Sequence, residues 1–253
     1  ITACGSSGET DTTATQSPTE VSPETPSNTD SDTGNSDTDN GDTDNNDNTD
    51  NDGALDLPVV EQNVLSDEIT AINAITNMKI GINLGNTLDA PNEGEWAPVA
   101  QESHIEAFKQ AGFKHVRVPV TWNNHVMTEA PFTIDASFLD RVEQIVDWAL
   151  SRDLYVILNV HHDDWIKANY SDQQQRNRFD SIWIQVAARF KHKSARLILE
   201  ILNEPHDLTY SQLNEVNNRV FSIIRNETSN RLIAFAGSGW SNVDELLSID
   251  IPQ

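Results

Sequence analysis

Basic residues are scarce: the 253 residues include 16 Lys and Arg against 40 Asp and Glu, a formal net charge of -24 at pH 7. A chain that acidic repels a phosphate backbone, so nucleic acid is not expected as a partner. The deficit is uneven. Residues 1–60 hold 14 acidic side chains and no Lys or Arg, leaving 26 acidic and 16 basic for residues 61–253. Cysteine is nearly absent, and Cys4 standing alone excludes an intrachain disulfide. No run of about 18 apolar residues occurs, so no segment has the makeup of a membrane-spanning helix.

Apolar residues are missing from the first part as well. From Gly5 to Gly53 the only aliphatic side chains are Ala14 and Val21, too few to offset the entropy of ordering. Residues 1–57 therefore read as an acidic Thr/Asp/Asn/Ser linker, expected to be disordered, and residues 58–253 as one folded domain. Within the linker, Asn35 to Asp42 alternates carboxylates like a calcium loop, but Gly41 falls one place late and the closing Glu is missing. The opening Ile1-Thr2-Ala3-Cys4-Gly5 resembles a bacterial lipobox, and no initiator Met precedes it. The expectation is a sequence beginning inside a signal peptide, with Cys4 as the lipidation site. That would place the domain outside the cytoplasm, as a bacterial outer-membrane lipoprotein or secreted protein, on a tether of about 40 Å. The alternative is a chance Ala-Cys in a frayed terminus.

After Pro58 short apolar runs alternate with helical patterns. Ser66 is a plausible N-cap ahead of Ile69, Ile72 and Ile75 on one helical face. Strand-like runs follow at Lys79 to Leu84, His115 to Val120, Leu154 to Val160, Arg196 to Leu202 and Arg231 to Ala236. Between them lie apolar helix faces: Phe138, Val142, Ile145 and Ala149; Phe179, Ile182, Trp183, Val186 and Phe190; Leu213, Val216, Val220 and Ile224. Thr209 and Gln212 have capping-box spacing, and Gly112 reads as a helix C-cap. Such alternation predicts parallel βαβ units.

Polar residues gather at the C-terminal ends of these strands: Asn83 and Asn86, Arg117, His161 and His162, Asn203 and Glu204. A (β/α)8 barrel places its active site there. An open doubly wound sheet also binds ligands at that edge, but Gly81-Ile82-Asn83-Leu84-Gly85-Asn86 lacks the G-x-G-x-x-G spacing. The predicted fold class is therefore α/β, a TIM barrel, with about five of eight βα units present.

A carboxyl group at Glu204, ending a buried strand, is expected to be partly desolvated and so raised toward the range of a general acid. Its plain alternative is a surface Glu paired with Arg or Lys. His161 and His162 invite a metal reading, but adjacent strand residues point to opposite faces and no third His or Cys has ligand spacing, so no metal site is expected. Arg117 would be costly to bury unpaired and implies an anionic partner, for which no earlier or later residue is an obvious candidate.

GINLGNTLDAPNEGEW (81–96), HVRVP (115–119), LNVHH (158–162) and LNEPH (202–206), in this order, resemble glycoside hydrolase family 5, the cellulase family with a (β/α)8 barrel, over about residues 70 to 250. The resemblance implies an endo-β-1,4-glucanase of retaining mechanism, without cofactor, whose partner is a β-1,4-linked polysaccharide such as cellulose. Glu204 would be the acid/base, Asn203 the amide binding the sugar 2-hydroxyl, Arg117 the partner of the nucleophile and His161 a hydrogen bonder beside it. His162 and Asn86 would line the sugar cleft, Trp240 would be the aromatic platform on the leaving-group side or else a core Trp, and Trp122 a stacking face. Relatives often carry Glu where Asp89 stands, so Asp89 would reach a sugar hydroxyl less well.

A retaining glycosidase needs two carboxyl groups about 5 to 5.5 Å apart. The family's nucleophile is a Glu on the seventh strand, and no such Glu is expected in this sequence: Glu215, Glu227 and Glu245 fall on helical patterns. The chain is thus expected to be an inactive, aggregation-prone fragment with open sheet edges. A β-mannanase or mixed-specificity enzyme is the alternative within the class. Outside it stands a non-catalytic polysaccharide binder using Trp96, Trp122 and Trp240.

Overall fold

In the computed structural model, residues 55–252 are described. Five strands form one sheet: β1 (Gly81–Asn83), β2 (His115–Val118), β3 (Tyr155–Asn159), β4 (Leu197–Glu200) and β5 (Ile233–Ala234), in the order β1-β2-β3-β4-β5. Every neighbouring pair is parallel. Chain order equals spatial order. A doubly wound sheet reverses at its switch point, so this winding is that of a (β/α)8 barrel, with five βα units among the described residues. Each strand lies within the apolar run that announced it.

The connecting helices are α1 (Ala71–Met78), α2 (Glu102–Gln110), α3 (Ala136–Leu150), α4 (Asp164–Ala168), α5 (Gln173–Phe190) and α6 (Tyr210–Glu227). α1 starts later than Ser66 suggested, with Thr70 as its N-cap. The cause is Asp67, whose carboxylate accepts from the Ser194 hydroxyl at 2.6 Å and the Ala195 amide at 3.1 Å, tying the preceding segment to the approach to β4. α6 opens with the expected capping box of Thr209 and Gln212. α2 closes at Gly112, whose φ of 94° is the left-handed turn that glycine adopts without penalty.

Strand alternation builds two layers. Val116, Val118, Val156, Leu158, Leu197 and Leu199 point outward and are buried under the apolar faces of α3, α5 and α6. Each such side chain contributes about 1.5–3 kcal/mol of burial. On the opposite face, Tyr155 and Ile198 pack with Ala74 of α1, flanked by Ile157 and Ala234. One step further along the same face come Arg117, Asn159 and Glu200, with Asn83 opposite Arg117 and Asn159 opposite Glu200 in the ladders. The inner face therefore passes from apolar to charged toward the C-terminal edge.

Leu55 and Leu57 pack against the core, so the packed chain begins a few residues before the boundary drawn at Pro58. Cys4 and the rest of the acidic linker through Ala54 lie outside the described residues. Among the described residues no helix is long and apolar enough to cross a membrane.

Candidate active site

Where β2 and β4 end, four side chains form a continuous polar chain. The Arg117 guanidinium donates from Nε to Glu200 Oε2 at 2.7 Å and from Nη2 to Glu200 Oε1 at 2.6 Å. Nη2 also donates to Asn203 Oδ1 at 2.7 Å. Because that oxygen is taken by a guanidinium, the Asn203 amide nitrogen must turn the other way, and it donates to Glu204 Oε2 at 3.3 Å. Burial alone would lower the Arg117 pKa; the bidentate bond and charge of Glu200, with smaller contributions from Glu204 and Asp89, outweigh it and raise the value.

Glu200 is the anionic partner for which the sequence offered no obvious candidate. Its signal was present: in Leu197-Ile198-Leu199-Glu200 the only charge of a buried strand sits two places after inward-facing Ile198. Asn159 was also missed. Its Nδ2 donates to Glu200 Oε1 at 3.2 Å and meets His161 Nδ1 at 3.3 Å, while its Oδ1 accepts from the Val120 amide. With Nδ1 accepting, the His161 proton sits on Nε2. Burial first, then the charge of Arg117, push the His161 pKa down to about 3. His161 is thus a neutral N–H donor at working pH.

Glu204 caps the chain of contacts at φ 43°, a left-handed backbone conformation rare outside glycine. It is exposed, so the desolvation expected at a buried strand end is not supplied by the described residues. Surfaces remote in sequence decide burial at a strand tip, and a strand-end pattern carries no information on them.

His161 and His162 lie beyond the last residue of β3, so the rule of opposite faces does not apply to them. Their rings meet edge to face with centroids 4.4 Å apart. With Asp89 they offer three donor atoms within 4.8 Å of one another, a candidate metal trio that strand alternation had argued against. Two features oppose a cation there: the Arg117 charge acts on His161, and Asp89 is already engaged. Its Oδ2 accepts from the Asn86 amide at 3.0 Å and its Oδ1 from the Thr87 amide at 2.7 Å. Buried to 4% exposure, Asp89 staples the loop after β1 rather than reaching into solvent. Asn86, exposed at φ 60°, is thereby fixed at the rim.

Trp122 is not a stacking face. It is fully buried, with Nε1 donating to Asn159 O at 3.2 Å and its ring edge-on to Phe138. Its amide is held by Asp163, a residue the sequence did not single out, which also accepts from the Asn123 amide and from Trp165 Nε1. Burial raises the Asp163 pKa despite those bonds. The aromatic surface is offered elsewhere. Trp96 is 52% exposed, and it meets His162 edge to face at 5.8 Å in a cleft of about 320 Å³ that Trp165, Thr121 and Asn124 also line. Trp240 is 64% exposed, in the kinked turn Ser238–Ser241 after β5, so it is no core Trp.

The family model for cellulase (glycosyl hydrolase family 5) matches residues 76–253. Endoglucanase H of Acetivibrio thermocellus is 48% identical over 180 residues, which cover 71% of this chain and 20% of that protein. The solved structure of Thermotoga maritima Cel5A with cellobiose superposes at a TM-score of 0.68 and 34% identity, over 71% of this chain and 58% of that one. The same protein with mannotriose gives 0.66 and 33%, over 71% and 59%. This chain therefore spans a fifth of the length of that curated relative and under two thirds of those structures.

Proposed function

The chain belongs to the cellulase family, glycosyl hydrolase family 5, and from that premise we propose that it is the acid/base half of a retaining endo-β-1,4-glucanase. The observation that carries this reading is the run of contacts Glu200–Arg117–Asn203–Glu204, which fixes both a carboxyl group and the amide beside it. Glu204, protonated, gives its proton to the glycosidic oxygen as the bond to the anomeric carbon breaks. The resulting carboxylate then takes a proton from the water that attacks the anomeric carbon and releases the glycosyl-enzyme. Asn203 Nδ2 is free to pass from Glu204 to a sugar 2-hydroxyl, because Arg117 holds the other end of the amide.

Glu200 is bound by Arg117 and Asn159 through both oxygens, and we assign it the role of holding Arg117 rather than that of the nucleophile. The second carboxylate of the pair is proposed to come from outside the described residues, which would leave this chain alone without turnover. In the full-length enzyme Glu204→Gln should abolish cleavage of unactivated glucan. Retained cleavage would refute the assignment.

The substrate class proposed is β-1,4-glucan, motivated by the family and by the relatives named endoglucanase. A mannan-active reading has its own support, since Thermotoga maritima Cel5A was solved with mannotriose as well as cellobiose. Initial rates on glucan and glucomannan separate the two. The acidic linker and the Cys4 setting motivate extracytoplasmic placement on a lipid anchor, and mass spectrometry of the N-terminal peptide from membrane extracts would reveal unmodified Cys4 if that is wrong.

A further inference from the structure

Trp240 offers one face to solvent because the other is covered. The His206 imidazole lies beneath it, ring centroids 4.0 Å apart and planes 12° from parallel. His206 is itself gripped: Nδ1 is 2.8 Å from Asp207 Oδ2, and Nε2 is 3.4 Å from Asp164 Oδ1. The second contact is not a hydrogen bond, so the ring is held through Nδ1. Asp164 is in turn anchored by the buried Lys167, whose Nζ donates to it at 2.8 Å.

The backbone is pinned to the same place. The Trp240 amide donates to Pro205 O at 3.0 Å. Gly239, Trp240 and Ser241 all have φ near +60°, a run that L residues adopt only where surrounding contacts enforce it. Gly237 belongs to this tight fold, since a Cβ there would stand 2.3 Å from Asn242 O. Proton donor, backbone anchor and ring support are thus three consecutive residues, Glu204, Pro205 and His206.

We propose that His206 is a positioning residue: by stacking under Trp240 it sets the open indole face in register with Glu204, so that a leaving-group-side sugar resting on that face presents its glycosidic oxygen to the acid. This rests on the glycosidase reading above. It predicts that the side chain at position 206 tunes how strongly the leaving-group side of the substrate is held, without touching the substrate itself.

The test compares His206→Ala and His206→Phe in the full-length enzyme on cellopentaose and on an aryl cellobioside whose small leaving group does not span the platform. His206→Ala should raise KM for cellopentaose about fivefold with kcat little changed and leave the aryl substrate unaffected, while the flat ring of His206→Phe restores the parent value. Trp240→Ala should produce the same rise, with no further effect when combined with His206→Ala. An unchanged cellopentaose KM in His206→Ala, equal loss on both substrates, or failure of His206→Phe to rescue would each overturn the proposal. Acrylamide quenching of Trp240 fluorescence, taken as the difference from Trp240→Phe, reads the stack without any activity: it should rise about twofold when the second indole face is uncovered. Unchanged quenching overturns the stacking. Expected quenching in an enzyme that cleaves no glucan overturns the glycosidase reading instead.

Discussion

Arg117 and Glu200 meet as a two-pronged pair at the end of two strands that are not neighbours in the sheet, with β3 lying between them. Both side chains are mostly buried, at 20% and 13% exposure. Removing one member of such a pair strands the other charge in a poorly solvated place, which costs about 3–5 kcal/mol where burial is complete and somewhat less here. Glu200→Gln should therefore lower stability by about 2 kcal/mol and, by freeing the guanidinium that orients Asn203, lower kcat by about tenfold or more. Thermal melting and initial rates on glucan, both measured on this variant of the full-length enzyme, check the two effects. An unshifted melting temperature would show that the pair is not what holds Arg117.

His161 sets an acid limit on stability. Its pKa falls from 6.5 unfolded to about 3 folded, chiefly through burial and secondly through the charge of Arg117. The folded state thus binds no proton where the unfolded state already binds one. Its contribution is complete above pH 6.5 and is lost as pH falls toward 3, at a slope of up to about 1.4 kcal/mol per pH unit. His161→Gln should flatten this limb: urea titrations at pH 7, 5 and 4 should show a smaller loss in the variant than in the parent. Parallel curves would mean that His161 is protonated in the folded state.

The parallel strands were legible because they read as short apolar runs, β3 and β4 being buried on both faces, and their polar C-terminal ends located the site. What the runs concealed was which face a residue takes. Glu200 was absorbed into an apolar strand although alternation from Ile198 turns it inward. Trp122 stands four residues past the end of β2 at Val118, and its indole turns back to Asn159 O and into the core. His161 and His162 converge because β3 stops at Asn159, a boundary that periodicity does not fix to two residues. The His206 stack joins segments 34 residues apart, and no local pattern encodes a contact of that range.

Arg231 should prove a structural cation rather than a catalytic one. It is 1% exposed and donates to the carbonyls of Phe190, Lys193, Ser194 and Leu197, closing the end of α5, where the last carbonyls of any helix lack partners. Burial lowers its pKa to about 10, with the charge of Asp67 opposing the shift. Arg231→Met fills similar volume and removes every donor, so it should cost about 3 kcal/mol or more. Arg231→Lys should recover only part of this, because one ammonium cannot span the spread of carbonyls that the guanidinium fork reaches. Equal stabilities of the Lys variant and the parent, by urea denaturation, would contradict the role.

The pairing of β1 with β2 places Asn83 opposite Arg117, and it depends on a missing side chain. Gly81 lies opposite His115, whose ring crosses it so closely that a Cβ at Gly81 would stand 2.0 Å from Nε2. The ring can swing aside only by giving up the bond from its Nδ1 to Met78 O, 2.9 Å long, which holds the end of α1. Gly81→Ala should therefore destabilise by about 1–3 kcal/mol through overpacking. His115→Ala removes the obstruction, so adding it to Gly81→Ala should cost less than adding it to the parent, with a coupling of about 1 kcal/mol. Strict additivity in that double-mutant cycle would mean that the two strands accommodate the methyl group by shifting apart. In that case the register that carries Arg117 to the site would be looser than the ladder of Gly81, Ile82 and Asn83 against His115, Val116 and Arg117 indicates.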